Sequence, residues 1–134
     1  MKILMIEKSK LYLESMLFLI NSNFDIDFIG CESATEGVDY LESAFIRDVK
    51  IDLLFIDVKD DEILNSRPLL LANHYKKSIN PDLKIVLFSM AEITPLMQDA
   101  IDIGYVDYFL PKSISSAYLK LFISNIRFIN YSFT

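Results

Sequence analysis

Five polar side chains follow the apolar runs of this sequence, and together they could carry chemistry. They are Glu7, Lys8, Asp57, Ser89 and Lys112. Two carboxylates could ligate a hard cation, two ammonium groups would supply fixed positive charge, and a hydroxyl could hydrogen-bond a ligand. Each residue alone means little, because the loops at strand ends are polar in most proteins. The set matters only if the fold brings its members together.

The apolar runs that precede these side chains have the length and composition of buried strands. A fifth, half-exposed strand is predicted where three apolar residues alternate with Asp25 and Asp27. The four buried strands are Lys2–Ile6, Ile51–Ile56, Leu83–Phe88 and Val106–Leu110, and the alternating residues of the fifth are Phe24, Ile26 and Phe28.

Helix signals occupy the segments between these strands. Ser9 is placed as the N-cap of a helix over about 10–21, and the capping box Ser33–Glu36 begins a second helix that runs to Arg47. The remaining signals are Pro68 at the first position of a third helix, Thr94-Pro95 at the start and Gly104 at the end of a fourth, and helical spacing over about 115–131.

Strands and helices therefore alternate five times, which predicts an α/β fold with a parallel sheet covered on both faces. Right-handed crossovers at this length favour the flavodoxin-like (βα)5 arrangement, a three-layer sandwich around a five-stranded sheet. We expect residues 1–134 to form a single domain. In such a sheet the carboxyl ends of the strands meet at one edge, so the five polar side chains should converge there.

Composition excludes several functions for this domain. A net charge of −6 argues against direct nucleic-acid contact, which needs a basic face. No run approaches the roughly 20 apolar residues of a membrane span. The one cysteine, Cys31, cannot form an internal disulfide, so the cytoplasm is the expected compartment.

Common catalytic and cofactor motifs are also missing. No glycine-rich loop follows the first strand, so neither a dinucleotide nor a P-loop site is predicted, and the hydroxyl-rich loop of flavodoxins is replaced by charged residues. The single histidine, His74, lies in the third helix without a second histidine or a cysteine beside it, which argues against zinc and against a Ser-His-Asp triad. We do not expect an enzyme.

Four segments at the strand ends resemble receiver domains of two-component response regulators. They are MKILMIEKS, IDLLFIDVK, KIVLFSMAE and YFLPKS, and they span nearly the whole chain. The resemblance implies that Asp57 is the phosphoacceptor and that Ser89 and Lys112 stabilise the phosphoryl group. It places the aromatic switch at Phe109. It also implies a sensor histidine kinase or a phosphotransfer protein as the partner.

In typical receivers a magnesium ion bridges an acidic pair, the phosphoacceptor and the phosphoryl oxygens. By resemblance the metal positions here would be Glu7, Asp57 and Lys59, and the acidic pair would be Glu7 and Lys8. Lys8 departs from the pattern because it replaces a carboxylate. Glu7 and Asp57 then face Lys8 and Lys112, a formal sum of zero, so we expect Mg²⁺ to bind weakly or not at all.

Two positions of the Lys8 side chain remain open. It could pair with Asp57 and stand in for the metal, or it could swing out to solvent on its flexible stem. The loop after Asp57 also departs from the pattern, because Lys59-Asp60-Asp61-Glu62 replaces its usual proline and glycine. A longer or differently bent loop is expected.

Two functions from different classes follow. One is a signalling switch that accepts a phosphoryl group on Asp57, and the other is a pseudo-receiver that acts through protein contacts alone. The last helix is more apolar than one buried stripe requires, since Tyr118, Leu121 and Phe128 fall outside it. They are either ordinary surface residues or part of a homodimer surface on helices four and five.

Overall fold

The computed structural model describes the backbone of residues 1–132 and the side chains of residues 1–126, and strands alternate with helices throughout. The strands are β1 (Lys2–Ile6), β2 (Asp27–Cys31), β3 (Leu53–Ile56), β4 (Lys84–Ser89) and β5 (Tyr108–Pro111). The helices are α1 (Lys10–Asn23), α2 (Ala34–Arg47), α3 (Arg67–Ser78), α4 (Pro95–Asp102) and α5 (Ser116–Ser132), with a 3-10 helix at Asp60–Asn65.

The five strands form one parallel sheet in the order β2-β1-β3-β4-β5. The chain first moves outward from β1 to β2 and then crosses to β3, so the order reverses between β1 and β3. That reversal is the point where α/β sheets of this kind hold their functional groups. The predicted flavodoxin-like (βα)5 fold is confirmed.

Each face of the sheet is covered by its own helices, which gives three layers. Leu13, Met16 and Ile20 of α1 pack with Leu119 and Ile123 of α5 on one face. On the other face, α2, α3 and α4 bury their apolar side chains against the alternate residues of the same strands. No helix within residues 1–132 is both long enough and apolar enough to span a membrane.

Some predicted boundaries were wrong. The alternation at Phe24, Ile26 and Phe28 predicted a strand from Phe24, but α1 continues to Asn23 and β2 begins at Asp27. The fifth strand is Tyr108–Pro111 rather than Val106–Leu110, and β3 begins at Leu53 rather than Ile51. In each case the local apolar pattern was right, but pairing with the neighbouring strand fixed the ends.

The predicted helix starts agree with the structure more closely than the predicted strand boundaries do. Ser33 accepts the N–H of Glu36, as a capping box requires, and Thr94 accepts the N–H of Met97 at the start of α4. Pro68 is the second rather than the first residue of α3, because Ser66 takes the N-cap position. Gly104 follows α4 with a φ of 79°, the left-handed conformation expected of a helix stop.

The segment after Asp57 folds into a short helix. It forms the 3-10 helix Asp60–Asn65, which buries Ile63 in the core. Its first residue, Asp60, accepts a hydrogen bond from the Thr94 hydroxyl. Thr94 therefore caps α4 and at the same time ties that helix to the segment beyond Asp57.

Gly37 of α2 lies directly against Ile6, the last residue of β1, and we predict that Gly37→Ala is destabilising. An added Cβ would lie 2.3 Å from Ile6 Cδ1 and 2.7 Å from Ile6 Cγ1. Overpacking costs about 1–3 kcal/mol, while better helix propensity returns up to about 1 kcal/mol. We therefore expect urea denaturation to show a net loss of up to about 2 kcal/mol in the free energy of unfolding.

The control for that prediction removes the nearer of the two clashing atoms. Ile6→Val deletes Cδ1, so the double variant should lose less stability than the sum of its two single changes. Additive losses, or a stabilised Gly37→Ala variant, would show that β1 and α2 do not meet as closely as the structure places them.

Candidate functional site

Backbone hydrogen bonds continue past the strand ends and set the site residues side by side. The Glu7 N–H donates to the Cys31 carbonyl at 2.9 Å, and the Asp57 N–H donates to the Ile6 carbonyl at 3.3 Å. On the other side, the Lys112 N–H donates to the Ser89 carbonyl at 2.8 Å. The backbone hydrogen bonds of the sheet therefore set the spacing of these residues independently of their side-chain contacts.

The Lys112 ammonium group lies between the two carboxylates of the site. Its Nζ is 2.5 Å from Oε1 of Glu7 and 2.7 Å from Oδ2 of Asp57. Burial alone would lower the pKa of Lys112, but the hydrogen bonds and charges of Asp57 and Glu7 outweigh it and raise that pKa. Lys112 is therefore held in its charged form, and it fixes both carboxylates.

The two carboxylates differ in their access to solvent. Glu7 is only 2% exposed, and its second oxygen, Oε2, is buried without a hydrogen-bond partner in the described side chains. The Asp57 side chain is 37% exposed. An external reagent can therefore approach Asp57 but not Glu7, although the same lysine holds both.

Ser89 and Phe109 lie in the neighbouring strands β4 and β5. Ser89 is buried, and its Oγ accepts the N–H of Ala91 at 3.1 Å. No hydrogen bond joins this hydroxyl to Asp57 or Lys112 in the described side chains. Phe109 pairs with Leu87 and is half-buried against the core on the α2–α3–α4 face.

Lys8 and Lys59 lie at the rim. Both are exposed, and neither makes an ion pair within residues 1–126. Both line one cavity with Asp57. Of the two positions considered for Lys8, the structure has the solvent-facing one, and Lys112 occupies the place beside Asp57.

Tyr12 was missed by sequence reasoning. The Lys112 Nζ lies 4.8 Å from the centre of the Tyr12 ring, a cation–π distance, and the Tyr12 hydroxyl donates to the Met90 sulfur at 3.1 Å. Tyr12 in α1 thus covers Lys112 from the side and reaches the residue after Ser89. Nothing in the sequence singled out an aromatic residue in a helix otherwise marked by its aliphatic stripe.

The donor set does not fit a magnesium ion as it stands. Of the predicted metal positions, only Glu7 and Asp57 supply carboxylates, and Lys112 bonds both of them. The described residues contain no cluster of three aspartate, glutamate, histidine or cysteine side chains that could hold a metal. A divalent cation at this site would lie near two lysine ammonium groups, and the site supplies too few oxygen ligands for it.

No model of a known protein family matches the sequence, and no curated protein matches it either. Solved structures do match. A signal receiver domain of an HD domain-containing protein from Pseudomonas fluorescens Pf-5 superposes with a TM-score of 0.73 at 16% identity, over 98% of this chain and 89% of that one. A response regulator receiver domain protein from Clostridium thermocellum gives 0.70 at 20% identity, over 99% and 98%.

A third match is a LuxR family DNA-binding response regulator from Silicibacter pomeroyi, with a TM-score of 0.70 at 23% identity, over 93% of this chain and 89% of that chain. At these identities the likeness concerns the fold. The chain has the fold of response-regulator receiver domains, which confirms at that level the resemblance predicted from its strand ends.

Proposed function

We propose that this chain is a receiver domain that accepts a phosphoryl group on Asp57 from a sensor histidine kinase or a phosphotransfer protein. One observation carries the proposal: an exposed carboxylate is held by a buried lysine at the switch point of a receiver fold. Residues 1–134 would act as one cytoplasmic signalling domain. The domain would act by changing its conformation and not by turning over a substrate.

The transfer itself needs little from the protein beyond position and charge. An oxygen of Asp57 attacks the phosphorus in line, the bond from phosphorus to the donor breaks, and the donor leaves with its electron pair. Lys112 already lies 2.7 Å from Oδ2 of Asp57 and would offset the charge on the phosphoryl oxygens. The Ser89 hydroxyl accepts from the Ala91 N–H, so its own hydrogen remains free to donate to the product.

The switch would run from Ser89 to Phe109. Movement of Ser89 toward the phosphoryl group would open space behind it, and the half-buried Phe109 ring in the adjacent strand would turn inward. This movement would alter the face formed by α4, β5 and α5. Exposed apolar residues occur in this part of the chain, namely Ile103 at the end of α4 and Tyr118 and Leu121 in α5. A homodimer through that face is part of the proposal, while the predicted contribution of Phe128 falls outside the described side chains.

Magnesium would assist the transfer less than in typical receivers. Lys8 takes the place of a carboxylate ligand, and Lys112 already bonds the two carboxylates that remain. We infer a weak metal dependence, with the fixed ammonium group of Lys112 supplying most of the positive charge.

The proposal predicts that acetyl phosphate adds one phosphoryl group to the wild-type chain, detected by intact-mass spectrometry. Asp57→Asn should abolish the adduct, because the amide cannot form the acyl phosphate. Asp61→Asn is the matched control, an exposed aspartate on the following segment, and it should label like the wild type. Labelling that survives in Asp57→Asn would assign the chemistry to another residue.

A pseudo-receiver is the second candidate function. The observation that favours it is the Glu7–Lys112–Asp57 arrangement, in which the positive charge of Lys112 satisfies Asp57 without any phosphoryl group. Such a domain would signal only through its contacts with other proteins. Absence of an adduct in the wild type, with acetyl phosphate and also with a histidine kinase, would favour this function.

A further inference from the structure

A cavity of about 340 Å³ lies beside Asp57, on the side of the site that faces α2 and α3. It is bounded by the ends of β1 and β3, by the 3-10 helix and by the first turns of α2 and α3. The volume is at the small end of the range for ligand sites in proteins. The phosphotransfer described above uses only the wall that carries Asp57.

Cations from three separate elements line this cavity. They are Lys8 after β1, Lys59 before the 3-10 helix and Arg67 at the start of α3, and they stand against the two carboxylates Asp57 and Glu62. Asp57 is bonded by Lys112 from outside this lining. Within residues 1–126 none of the three cations pairs with either carboxylate, and the one ion pair that they make joins Arg67 to Glu42 on the surface at 3.2 Å.

The starts of two long helices add backbone donors. Ser33 and Ser66, the N-caps of α2 and α3, each accept the N–H of the third helical residue. Ala34 and Arg67, the first residues of these helices, both line the cavity. Helix starts carry partial positive charge and favour anions.

We propose that this cavity binds a small oxyanion of the phosphate class, either inorganic phosphate or the phosphate group of a phosphomonoester. Three cations on three elements line this cavity, and the first residues of α2 and α3 line it as well. Binding needs neither a phosphorylated Asp57 nor a partner protein, so the site goes beyond the phosphoacceptor function. The two lining carboxylates limit the affinity, which we expect to be about millimolar.

The test is an NMR titration of the wild-type chain, labelled with ¹⁵N, at constant ionic strength. One arm adds inorganic phosphate and the other adds glycerol 2-phosphate. Saturable shifts are expected for the amides of Lys8, Ala34, Lys59 and Arg67. Loss of a charged hydrogen bond should weaken binding at least about fivefold in Lys59→Gln and in Arg67→Gln. Lys50→Gln, which removes an exposed lysine far from the cavity, should leave it unchanged.

The two arms identify the source of the anion. Equal affinity would assign the site to free phosphate, and tighter binding of glycerol 2-phosphate would assign it to a phosphomonoester. Absence of saturation by about 50 mM of either probe would overturn the proposal. Equal weakening by Lys50→Gln, or shifts centred on Ser89 and Lys112, would overturn it too. Because the titration does not depend on labelling of Asp57, a failed phosphotransfer leaves this test intact.

Discussion

Lys112→Met is expected to lower the free energy of unfolding at neutral pH by about 3 kcal/mol, because it leaves the buried carboxylate of Glu7 without its cation. Glu7 and Lys112 are both almost fully buried, and Oε2 of Glu7 has no hydrogen-bond partner among the described side chains. Urea denaturation would measure the loss. The same change should also abolish labelling of Asp57 by acetyl phosphate.

Two controls separate the ion pair from the loss of any lysine. Lys50→Met removes an exposed lysine and should change stability by no more than about 0.5 kcal/mol. Glu7→Gln combined with Lys112→Met removes both buried charges and should recover much of the loss. A single variant as stable as the wild type would show that Lys112 does not bond Glu7 in the folded protein.

The same ion pair predicts a dependence on alkaline pH. The pKa of Lys112 is raised in the folded protein, so its contribution to stability is complete below the pKa of an unfolded lysine. That contribution is lost as the pH rises through the folded value. The difference in stability between the wild type and Lys112→Met should therefore be constant from neutral pH to about pH 10 and shrink above it.

Lys8→Asp is the second change with a large expected effect, and it should strengthen Mg²⁺ binding at least about tenfold. The variant replaces an ammonium group by a carboxylate on the rim of the Asp57 cavity, a change of two charge units where the ion would bind. Isothermal titration calorimetry would give the affinity. Labelling by acetyl phosphate should become faster in the variant when Mg²⁺ is present.

Lys10→Asp provides the matched control, since Lys10 is also exposed two residues further on and its change alters the net charge by the same amount. It should leave the Mg²⁺ affinity close to that of the wild type. Equal strengthening in both variants would mean that net charge, and not a restored ligand, governs the binding. No strengthening in Lys8→Asp would remove the charge argument for a weak metal site.

The fold could be predicted because the alternation of apolar strands and capped helices repeats along the whole chain. Boundaries failed where a local pattern competed with a neighbour, as at Phe24, which lies at the end of α1 instead of in β2. Register is fixed by strand pairing and helix packing, which a single sequence does not contain. These errors did not affect the prediction of which residues follow the strand ends. Each of those residues follows an apolar run, whichever residue begins the strand.

The site could be predicted only in part. The convergence of Glu7, Asp57 and Lys112 followed from the parallel sheet. That the Lys112 ammonium group bonds both carboxylates depends on side-chain geometry, which the sequence does not give. Tyr12 and Arg67 lie in helices, and no strand end marked them. Their contribution depends on how α1 and α3 pack on the sheet, which amphipathic periodicity places only to within a face.

Chemical mapping of the acyl phosphate tests the central claim most directly. After treatment with acetyl phosphate, borohydride delivers one hydride to the acyl carbon and phosphate leaves, and a second hydride reduces the resulting aldehyde to the alcohol. The aspartate thereby becomes homoserine, which peptide mass spectrometry can locate. The structure predicts homoserine at position 57 and at no other aspartate. Homoserine at Asp60 or Asp61, or its absence from an acyl-phosphorylated chain, would contradict the assignment of Asp57.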